Sequence, residues 1–378
     1  MASYLIKNGT LLSILDGSEQ KADILVENGI VTRIGKDIDV PLSDVYDAQG
    51  LYVSVGWLEA HCHFLRPGGT ISLDPTEDLL RQGVTFALDL GTVGPDDYVV
   101  CSQSIRAASD LRFRTYLNIA HAGMYPPGKS VDFEGPEDII PELVVETVEK
   151  YRPELMGLKA RIDDKFCFDP VYVMEQIRAL GDRLQMPIAI HAPRSRIGIE
   201  KLLRYMKTGD ILCHTLAGNS DVMSIIDKDG RVKPCVLDAR ERGVIFDLSH
   251  GTNAYSYDTA EAAWKAGFFT DTVSSDLHGR NINGPVYNSG VVYSKVRGLT
   301  GKPWWWILNK AIAQPVRLQN ISEKAVEIRE GIQADLTVFR VDEGCFNYPD
   351  SKKENRAFSE KLTAIYTCLG SKVYLCRT

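Results

Sequence analysis

Between residues 52 and 278 the chain alternates short, β-rich apolar runs with stretches of helical periodicity. The eight runs are YVSVG (52–56), VTFALDLG (84–91), FRTYLNIA (113–120), LMGLKARI (155–162), PIAIHA (187–192), DILCHT (210–215), GVIFDLSH (243–250) and DTVSSDLH (271–278). Stretches between them, such as DPVYVMEQIRALGDRL, repeat apolar residues at i, i+3 and i+4, which is typical of amphipathic helices. Eight strand–helix units predict a parallel sheet closed into a (β/α)8 barrel. A doubly wound open sheet is the alternative, but no GxGxxG motif follows an early strand.

The two ends of the chain have a different texture. Residues 1–50 alternate apolar and polar positions over short runs that are broken by Asn-Gly and Asp-Gly, which indicates hairpins. A similar pattern returns near the end, in IQADLTVFRVD and KLTAIYTCLGSKVYLCRT. We therefore predict a small β-sandwich domain formed by residues 1–56 and 325–378, with the barrel, residues 57–324, inserted between its two halves.

Composition narrows the function classes. Among the 378 residues, 25% are charged and 44% are hydrophobic, as in ordinary soluble globular proteins. The net charge of −7 argues against a nucleic-acid-binding surface. No apolar run approaches the roughly 20 residues that span a bilayer, and MASYLIKNGT lacks the features of a signal peptide. Eight cysteines without a CxxC pair are typical of reduced thiols, so we expect a cytoplasmic protein that acts on a small molecule and binds neither nucleic acid nor membrane.

Ionisable residues fall at the carboxyl ends of the predicted strands, where a (β/α)8 barrel builds its active site. The set is His61, His63, Lys159, His191, His214 and Asp276. His61 and His63 point the same way because alternate residues of a strand share a face. Imidazole nitrogens and carboxylate oxygens are ligands that zinc and similar divalent cations take in catalytic sites. The sequence therefore predicts a metal centre at this rim.

Each of these residues also has an ordinary structural explanation. An HxH pair can arise by chance, Lys159 can extend its amine to water, and Asp276 can cap a helix. The convergence of five separate strands on one rim favours the metal centre. Four imidazoles, one carboxylate and one lysine exceed a single tetrahedral ligand set, which indicates two ions. Because an ammonium cation cannot be a ligand, the lysine must be modified or must have its pKa lowered by burial and metal charge.

These residues, in this order, resemble the amidohydrolase superfamily, the urease- and dihydroorotase-like metallohydrolases. The segment LYVSVGWLEAHCH looks like that superfamily's entry into the barrel, and GIQADLTVF looks like its exit. A deacetylase subgroup, often labelled dihydroorotase-like, has stretches similar to GGTISLDPTEDLLRQGVT, GLKAR, GDILCHTLAG, DLSHG and DTVSSDLHGRNINGPVYN. The resemblance covers essentially the whole chain, and the habit of the superfamily implies a homo-oligomer.

The resemblance also implies a role for each ligand. The buried metal would be bound by His61, His63 and Asp276, and the exposed metal by His191 and His214. Lys159 would be carboxylated by carbon dioxide and would bridge both ions. Asp276 would also carry the proton during catalysis. The expected cofactors are thus two divalent metal ions, with zinc as the leading candidate, and the N6-carboxylation of Lys159.

Further polar residues are candidates for contact with the substrate. They are Arg161, His250, His278 and Asn283. Arg161 shares a strand face with Lys159, so it should face the barrel mouth, where a guanidinium suits a substrate carboxylate; an ion pair with a loop acid is the alternative. The other three lie on the last two loops, where they could instead support the metal ligands. We interpret His121 and Asp89 as structural or supporting residues, and the long loops 121–138 and 278–290 as specificity elements.

The leading interpretation is a binuclear metal-dependent hydrolase that cleaves an amide or ester bond, deacetylating a small carboxylate-bearing substrate. A cyclic amide hydrolase of the dihydroorotase or hydantoinase kind and an adenine-type deaminase are alternatives within the same fold. Deaminases of the superfamily usually employ one metal and lack the bridging lysine, so Lys159 disfavours that alternative. A noncatalytic scaffold is the alternative from another class, and its distinguishing property is the lack of bound metal.

Overall fold

A computed structural model describes residues 3–41, 44–125 and 131–377, so residues 126–130 of the first long loop lie outside the described residues. In chain order the described strands are β1 (Ser3–Leu12), β2 (Glu19–Glu27), β3 (Ile30–Gly35), β4 (Val45–Asp47), β5 (Tyr52–Val55), β6 (Trp57–Cys62), β7 (Val84–Leu90), β8 (Arg112–Asn118), β9 (Leu155–Arg161), β10 (Ile188–His191), β11 (Ile211–Leu212), β12 (Ile245–Phe246), β13 (Asp335–Pro349), β14 (Asn355–Leu369) and β15 (Lys372–Leu375). The described α-helices are α1 (Tyr98–Ala108), α2 (Pro141–Tyr151), α3 (Pro170–Leu184), α4 (Ile199–Tyr205), α5 (Pro234–Glu241), α6 (Tyr257–Lys265), α7 (Ser289–Thr300), α8 (Trp304–Leu308) and α9 (Gln314–Leu318). Shorter turns of 3-10 or π-helix occur at Pro75–Leu79, Leu80–Gln82, Pro136–Asp138 and Asn309–Ala313.

A curled parallel sheet carries the predicted site residues. Its seven strands run in the order β6 to β12, and each is parallel to its neighbours. The segment 271–278 contacts both outer strands through two isolated parallel bridges, Asp247 with Thr272 and Cys62 with Leu277. The carboxyl ends of the strands therefore surround one centre, as the α/β prediction requires.

The first strand of this sheet lies one strand later in the chain than the sequence pattern predicts. Residues 52–55 form β5, which pairs with β1 and β13 in the other sheet, and the first strand of the parallel sheet is β6, which carries His61. The alternating YVSV reads as a half-buried strand, whereas every residue of β6 is buried and shows no alternation. The lack of apolar and polar alternation in WLEAHC hid the strand that carries His61.

The two chain ends form one mixed sheet of eight strands. Its order is β15, β14, β13, β5, β1, β2 and β3, with β4 beside β1. A separate cluster of buried residues fills one face of this sheet; among its members are Tyr4, Ile24, Val26, Val53 and Leu336. The two ends thus meet as predicted, and the sandwich arrangement stays a prediction.

Helix α3 illustrates how the sequence forms the outer helices. Asp169 accepts hydrogen bonds from the N–H groups of Val171 and Tyr172, and Pro170 occupies the first turn. The apolar face of the helix, which includes Val173 and Ile177, is buried. This helix follows the predicted stretch 169–184 closely, because its cap and its apolar periodicity agree.

None of the described helices is long and apolar enough to cross a bilayer. All eight cysteines are free, as their spacing predicted. Tight packing surrounds the sheet, and its interior holds the largest cluster of buried apolar side chains.

Candidate metal centre

Six predicted ligands converge at the carboxyl edge of the parallel sheet, and we call them the ligand cluster. They are His61, His63, Lys159, His191, His214 and Asp276. One carboxylate oxygen of Asp276 lies 3.1 Å from Nε2 of His63 and 3.5 Å from Nε2 of His61. Its other oxygen lies 3.9 Å from Nε2 of His214. The segment 271–278 thus brings its aspartate onto the histidines at the ends of β6 and β11.

Two imidazole nitrogens in this cluster are buried and lack a hydrogen-bond partner among the described residues. They are Nε2 of His191 and Nε2 of His214, whose ring centroids are 4.4 Å apart. An unpaired buried polar atom costs free energy unless an ion, water or ligand satisfies it. Ligand atoms of His61, His214 and Asp276 also lie within 4.8 Å of one another. Nitrogen and oxygen donors at this spacing fit a divalent cation.

The first two histidines are oriented by hydroxyl groups that are themselves held by carboxylates. Ser249 Oγ donates to Asp247, so it accepts from Nδ1 of His61 at 3.0 Å. Thr92 Oγ1 donates to Asp89 Oδ2 at 2.7 Å, so it accepts from Nδ1 of His63 at 2.9 Å. Each imidazole therefore carries its proton on Nδ1 and turns the lone pair of Nε2 inward, as metal ligands require.

His214 is oriented by backbone instead. Its Nδ1 donates to the carbonyl of Ser249 at 2.7 Å, which again leaves Nε2 as the free acceptor. Three residues at neighbouring strand ends adopt left-handed backbone: His214 (φ 61°), Ser249 (φ 43°) and Asp276 (φ 49°). Such conformations cost free energy in non-glycine residues and concentrate at functional sites. The chain turns sharply at each of these ends to aim a polar group at the cluster.

Burial keeps the four imidazoles neutral. It lowers the pKa of His61 and of His191 well below the usual value, lowers that of His63 to about 3 and lowers that of His214 to about 4. A neutral imidazole is the form that binds a metal, because only then is a ring nitrogen unprotonated on that side.

Lys159 lies among these histidines with only 1% of its surface exposed. Its Nζ donates to Cys213 Sγ at 3.2 Å, and no carboxylate of the described residues forms an ion pair with it. Gly91, at φ +80°, leaves the space that the lysine fills, since a Cβ there would lie 2.5 Å from Cβ of Lys159. A lysine that is buried without a direct ion pair is unusual, which marks Lys159 as part of the cluster.

A pocket of about 130 Å³ opens above the ligand cluster. Arg161 lines it, as predicted from its strand face, but its guanidinium is engaged by Asp132, with Nε 2.7 Å from Oδ2 and a second contact between Nη2 and Oδ1. His278 lines the pocket too, with Nε2 3.1 Å from Thr252 Oγ1. The loop acid that the sequence left as the alternative partner of Arg161 is thus Asp132.

The remaining predicted contact residues lie elsewhere. His250 is buried behind the pocket wall, where its Nδ1 lies 3.0 Å from the Gly251 carbonyl and its Nε2 accepts from Lys295 at 2.9 Å. Asn283 is solvent-exposed and is not among the described residues that line the pocket. His121 is half-buried and pairs with Asp96 at 2.6 Å.

Sequence reasoning missed several supporting residues. Asn281 accepts from the His278 N–H at 2.9 Å and donates to the Asp276 carbonyl at 2.8 Å. Buried Glu59 accepts from the backbone N–H groups of His61 (3.1 Å) and Ser275 (3.0 Å), and burial raises its pKa to about 7. Of these two, only Glu59 has a local signal, because it is an acid two positions before His61 in LEAHCH.

Comparison with known proteins agrees with this geometry. No protein-family model matches the chain. A deacetylase from Enterococcus faecalis is 25% identical over 377 residues, which cover 98% of each chain. Among solved structures, a dihydroorotase superposes with a TM-score of 0.89 at 23% identity over 100% of this chain and 98% of the other, and an adenine deaminase with 0.87 at 24% identity over 98% and 99%. The chain is thus similar along its full length to a deacetylase and shares the fold of the dihydroorotase and the adenine deaminase, so the resemblance to the amidohydrolase superfamily that its sequence indicated is confirmed.

Proposed function

We propose that this protein is a metal-dependent deacetylase that removes acetyl from a small carboxylate-bearing compound. The observation that carries the proposal is the pair of unpartnered, buried Nε2 atoms of His191 and His214, the second of them 3.9 Å from Asp276, beside a pocket that His191 and Asp276 line. The full-length relative named deacetylase supports the choice of reaction. The proposed architecture is a (β/α)8 barrel over residues 57–324, in which the segment 271–278 acts as the eighth strand, with the small domain formed by residues 1–56 and 325–378.

In this proposal the ligand cluster holds two divalent cations, with zinc as the leading candidate. One would be held by His61, His63 and Asp276, and the other by His191 and His214. Lys159 would be carboxylated: its neutral amine and carbon dioxide form a carbamate, and one proton leaves to solvent. The carbamate would supply two oxygens and a negative charge at the position of this amine. When bound, the cations would lower the pKa of water and polarise the scissile carbonyl.

Asp276 is the residue that we propose moves the proton. Its carboxylate faces the pocket and the histidines, and Asn281 holds its backbone carbonyl at 2.8 Å. Asp276 accepts the proton of the attacking water and returns it to the leaving group, as base and then acid. His278, on the same loop, lines the pocket and is placed to contact the substrate, whereas His250 supports the wall behind it.

A cyclic amide hydrolase is the second candidate, because the fold superposes on a dihydroorotase over nearly the whole of both chains. The same cluster can serve either reaction, since both hydrolyse an acyl bond. The choice between them is decided by the substrate.

The test measures metal content of the purified protein and screens N-acetyl amino acids, acetylated hydroxy acids, cyclic imides and adenine. We expect bound divalent metal and release of acetate. Asp276→Asn should lose on the order of 10²–10⁴-fold in kcat, because it cannot accept a proton. Asp39→Asn is the matched control. Asp39 is exposed and follows β3 of the mixed sheet, so this variant should keep full activity.

Three results would contradict the proposal. Ring opening of cyclic imides without acetate release would favour the second candidate. Ammonia release from adenine would favour deamination. A protein that binds no metal under any loading condition would point to a scaffold.

A further inference from the structure

Four cationic side chains line the mouth of the pocket. They are Arg161, Lys165, Arg194 and Arg280. Two of them are already paired with buried carboxylates: Arg161 with Asp132, as described above, and Arg194 with Asp163, whose Oδ2 accepts from Nε at 2.9 Å. Four positive charges against two carboxylates leave two positive charges at the mouth.

Three of these cations alternate with two aromatic rings in a single stack. Its order is Arg280, Tyr125, Arg161, Phe166 and Lys165. Successive distances from cation to ring centroid are 4.4, 4.3, 3.8 and 5.6 Å. The two rings are 5.9 Å apart and nearly perpendicular, at 86°. The inner guanidinium is thus held between two rings and by Asp132, while the two ends of the stack are open.

The end cations have no carboxylate partner among the described residues. Arg280 is exposed, and its side chain donates to Thr70 Oγ1 at a long 3.3 Å. Lys165 is exposed as well and contacts only the ring of Phe166 in the stack. Two unpaired cations beside a polar pocket attract an anion.

We propose that Arg280 binds the carboxylate of the substrate, with Lys165 adding a second positive charge; this rests on the deacetylase function proposed above. A guanidinium matches a carboxylate through two parallel hydrogen bonds. Arg161, the residue that the sequence favoured, already makes that arrangement with Asp132. A substrate would have to displace Asp132 and leave a buried carboxylate unpaired, which is costly.

The position of Arg280 suits this role. It lies four residues after Asp276 on the same loop, and its N–H donates to His278 Nδ1 at 3.2 Å. The loop therefore carries both the proposed proton carrier and the proposed carboxylate-binding group, and both side chains line the pocket. A substrate held by its carboxylate would present its acetyl group to a fixed point, which is how orientation accelerates a reaction.

The experiment compares succinate with succinamide, in which both carboxylates are replaced by neutral amides. Binding to the metal-loaded protein is measured by calorimetry, so no turnover is needed. Wild type should prefer succinate, and Arg280→Gln should weaken succinate binding roughly 10- to 100-fold while changing succinamide binding less than about twofold. Arg280→Lys should keep part of the preference, since it retains the charge without the fork. Arg329→Gln, an exposed arginine away from the pocket, is the matched control and should change neither.

Acetate release from N-acetylglycine and from its neutral amide then separates the two proposals. If Arg280→Gln lowers kcat/KM for N-acetylglycine alone, both proposals hold. If no acetate is released but the succinate preference depends on Arg280, the deacetylase function is wrong and the anion site stands. Unchanged succinate binding in Arg280→Gln, an equal loss for both ligands, or a wild type without a preference would overturn the role of Arg280.

Discussion

The ligand cluster and the mouth of the same pocket are built in different ways. Ligand side chains come from strand ends, are buried, and are turned by a partner such as Ser249 or Thr92. At the mouth, Arg280 and Lys165 are exposed and lie on loops, and each contacts a single aromatic ring of the stack. The chain thus fixes the geometry of the end for which we propose the chemistry, and leaves adjustable the end for which we propose substrate selection.

Two histidines show how little separates a ligand from a supporting residue. His214 and His250 end neighbouring runs of the parallel sheet, and both are buried. The left-handed turn at Ser249 sends its carbonyl to His214 and its hydroxyl to His61, and the next residue, His250, faces Lys295 instead. A position at a strand end places a histidine near the centre, but the turn decides which way it points.

The largest effect should come from removing the lysine of the ligand cluster. We expect Lys159→Ala to lose bound metal and to lose more activity than the roughly 10–100-fold that a supporting residue costs, because it removes the group between the two ion sites. Metal analysis of the purified variant measures this. Lys265→Ala, an exposed lysine on α6, should match wild type. Full metal content in Lys159→Ala would remove the lysine from the centre.

A smaller effect should follow from loosening one ligand without removing it. Thr92→Val deletes the hydroxyl between Asp89 and His63 at nearly constant volume, so the imidazole loses its fixed tautomer. We expect metal affinity to fall roughly 10–100-fold, measured by competition with a chelator. Thr92→Ser keeps the hydroxyl and is the control. If Val and Ser variants bind metal equally well, the ligands are not held by these hydroxyls.

The fold was largely predictable because its signal repeats. Eight apolar runs alternate with helices over more than two hundred residues, and an error in one run, the exchange of β5 for β6, does not change the architecture. The convergence of the two chain ends was predictable for a similar reason, since both show the same alternating texture. The contact of segment 271–278 with the two outer ends of the sheet depends on two isolated bridges, at Asp247 and Cys62, which leave no local pattern.

The residues of the candidate site also differ in how well the sequence predicts them. Ligand histidines stand out because a chain with seven histidines places most of them at strand ends. Supporting residues are common types whose role depends on backbone turns, so Ser249 and Thr92 could not be recognised from their neighbours. Asn281 and Asn283 differ by two positions, yet one is buried against Asp276 and the other is exposed.

Lys295 of α7 belongs to the supporting structure rather than to the pocket. It is fully buried, and Nζ donates to the carbonyls of Pro285 (2.6 Å) and Pro349 (2.8 Å) and to Nε2 of His250 (2.9 Å). One amine thus joins the loop after segment 271–278, the end of β13 and the wall behind the ligand cluster. It contacts none of the proposed metal ligands.

Replacing this amine should affect stability and leave the metal centre unchanged, the smallest effect on catalysis of the series. Lys295→Met leaves two buried carbonyls without a donor, which should lower the free energy of unfolding by roughly 1–3 kcal/mol.

Burial lowers the pKa of Lys295 to about 7, with Asp350 opposing the shift. Between pH 7 and the usual lysine pKa, the unfolded chain then binds a proton that the folded chain does not, so wild-type stability rises with pH there by up to about 1.4 kcal/mol per unit. The Met variant should lack that rise in urea unfolding at pH 7.5 and 9.5, and equal slopes would show that Lys295 stays charged in the fold. A lowered metal content in Lys295→Met would instead show that His250 contributes to metal binding. The distinction between His214 as a proposed ligand and His250 as a supporting residue would then be wrong.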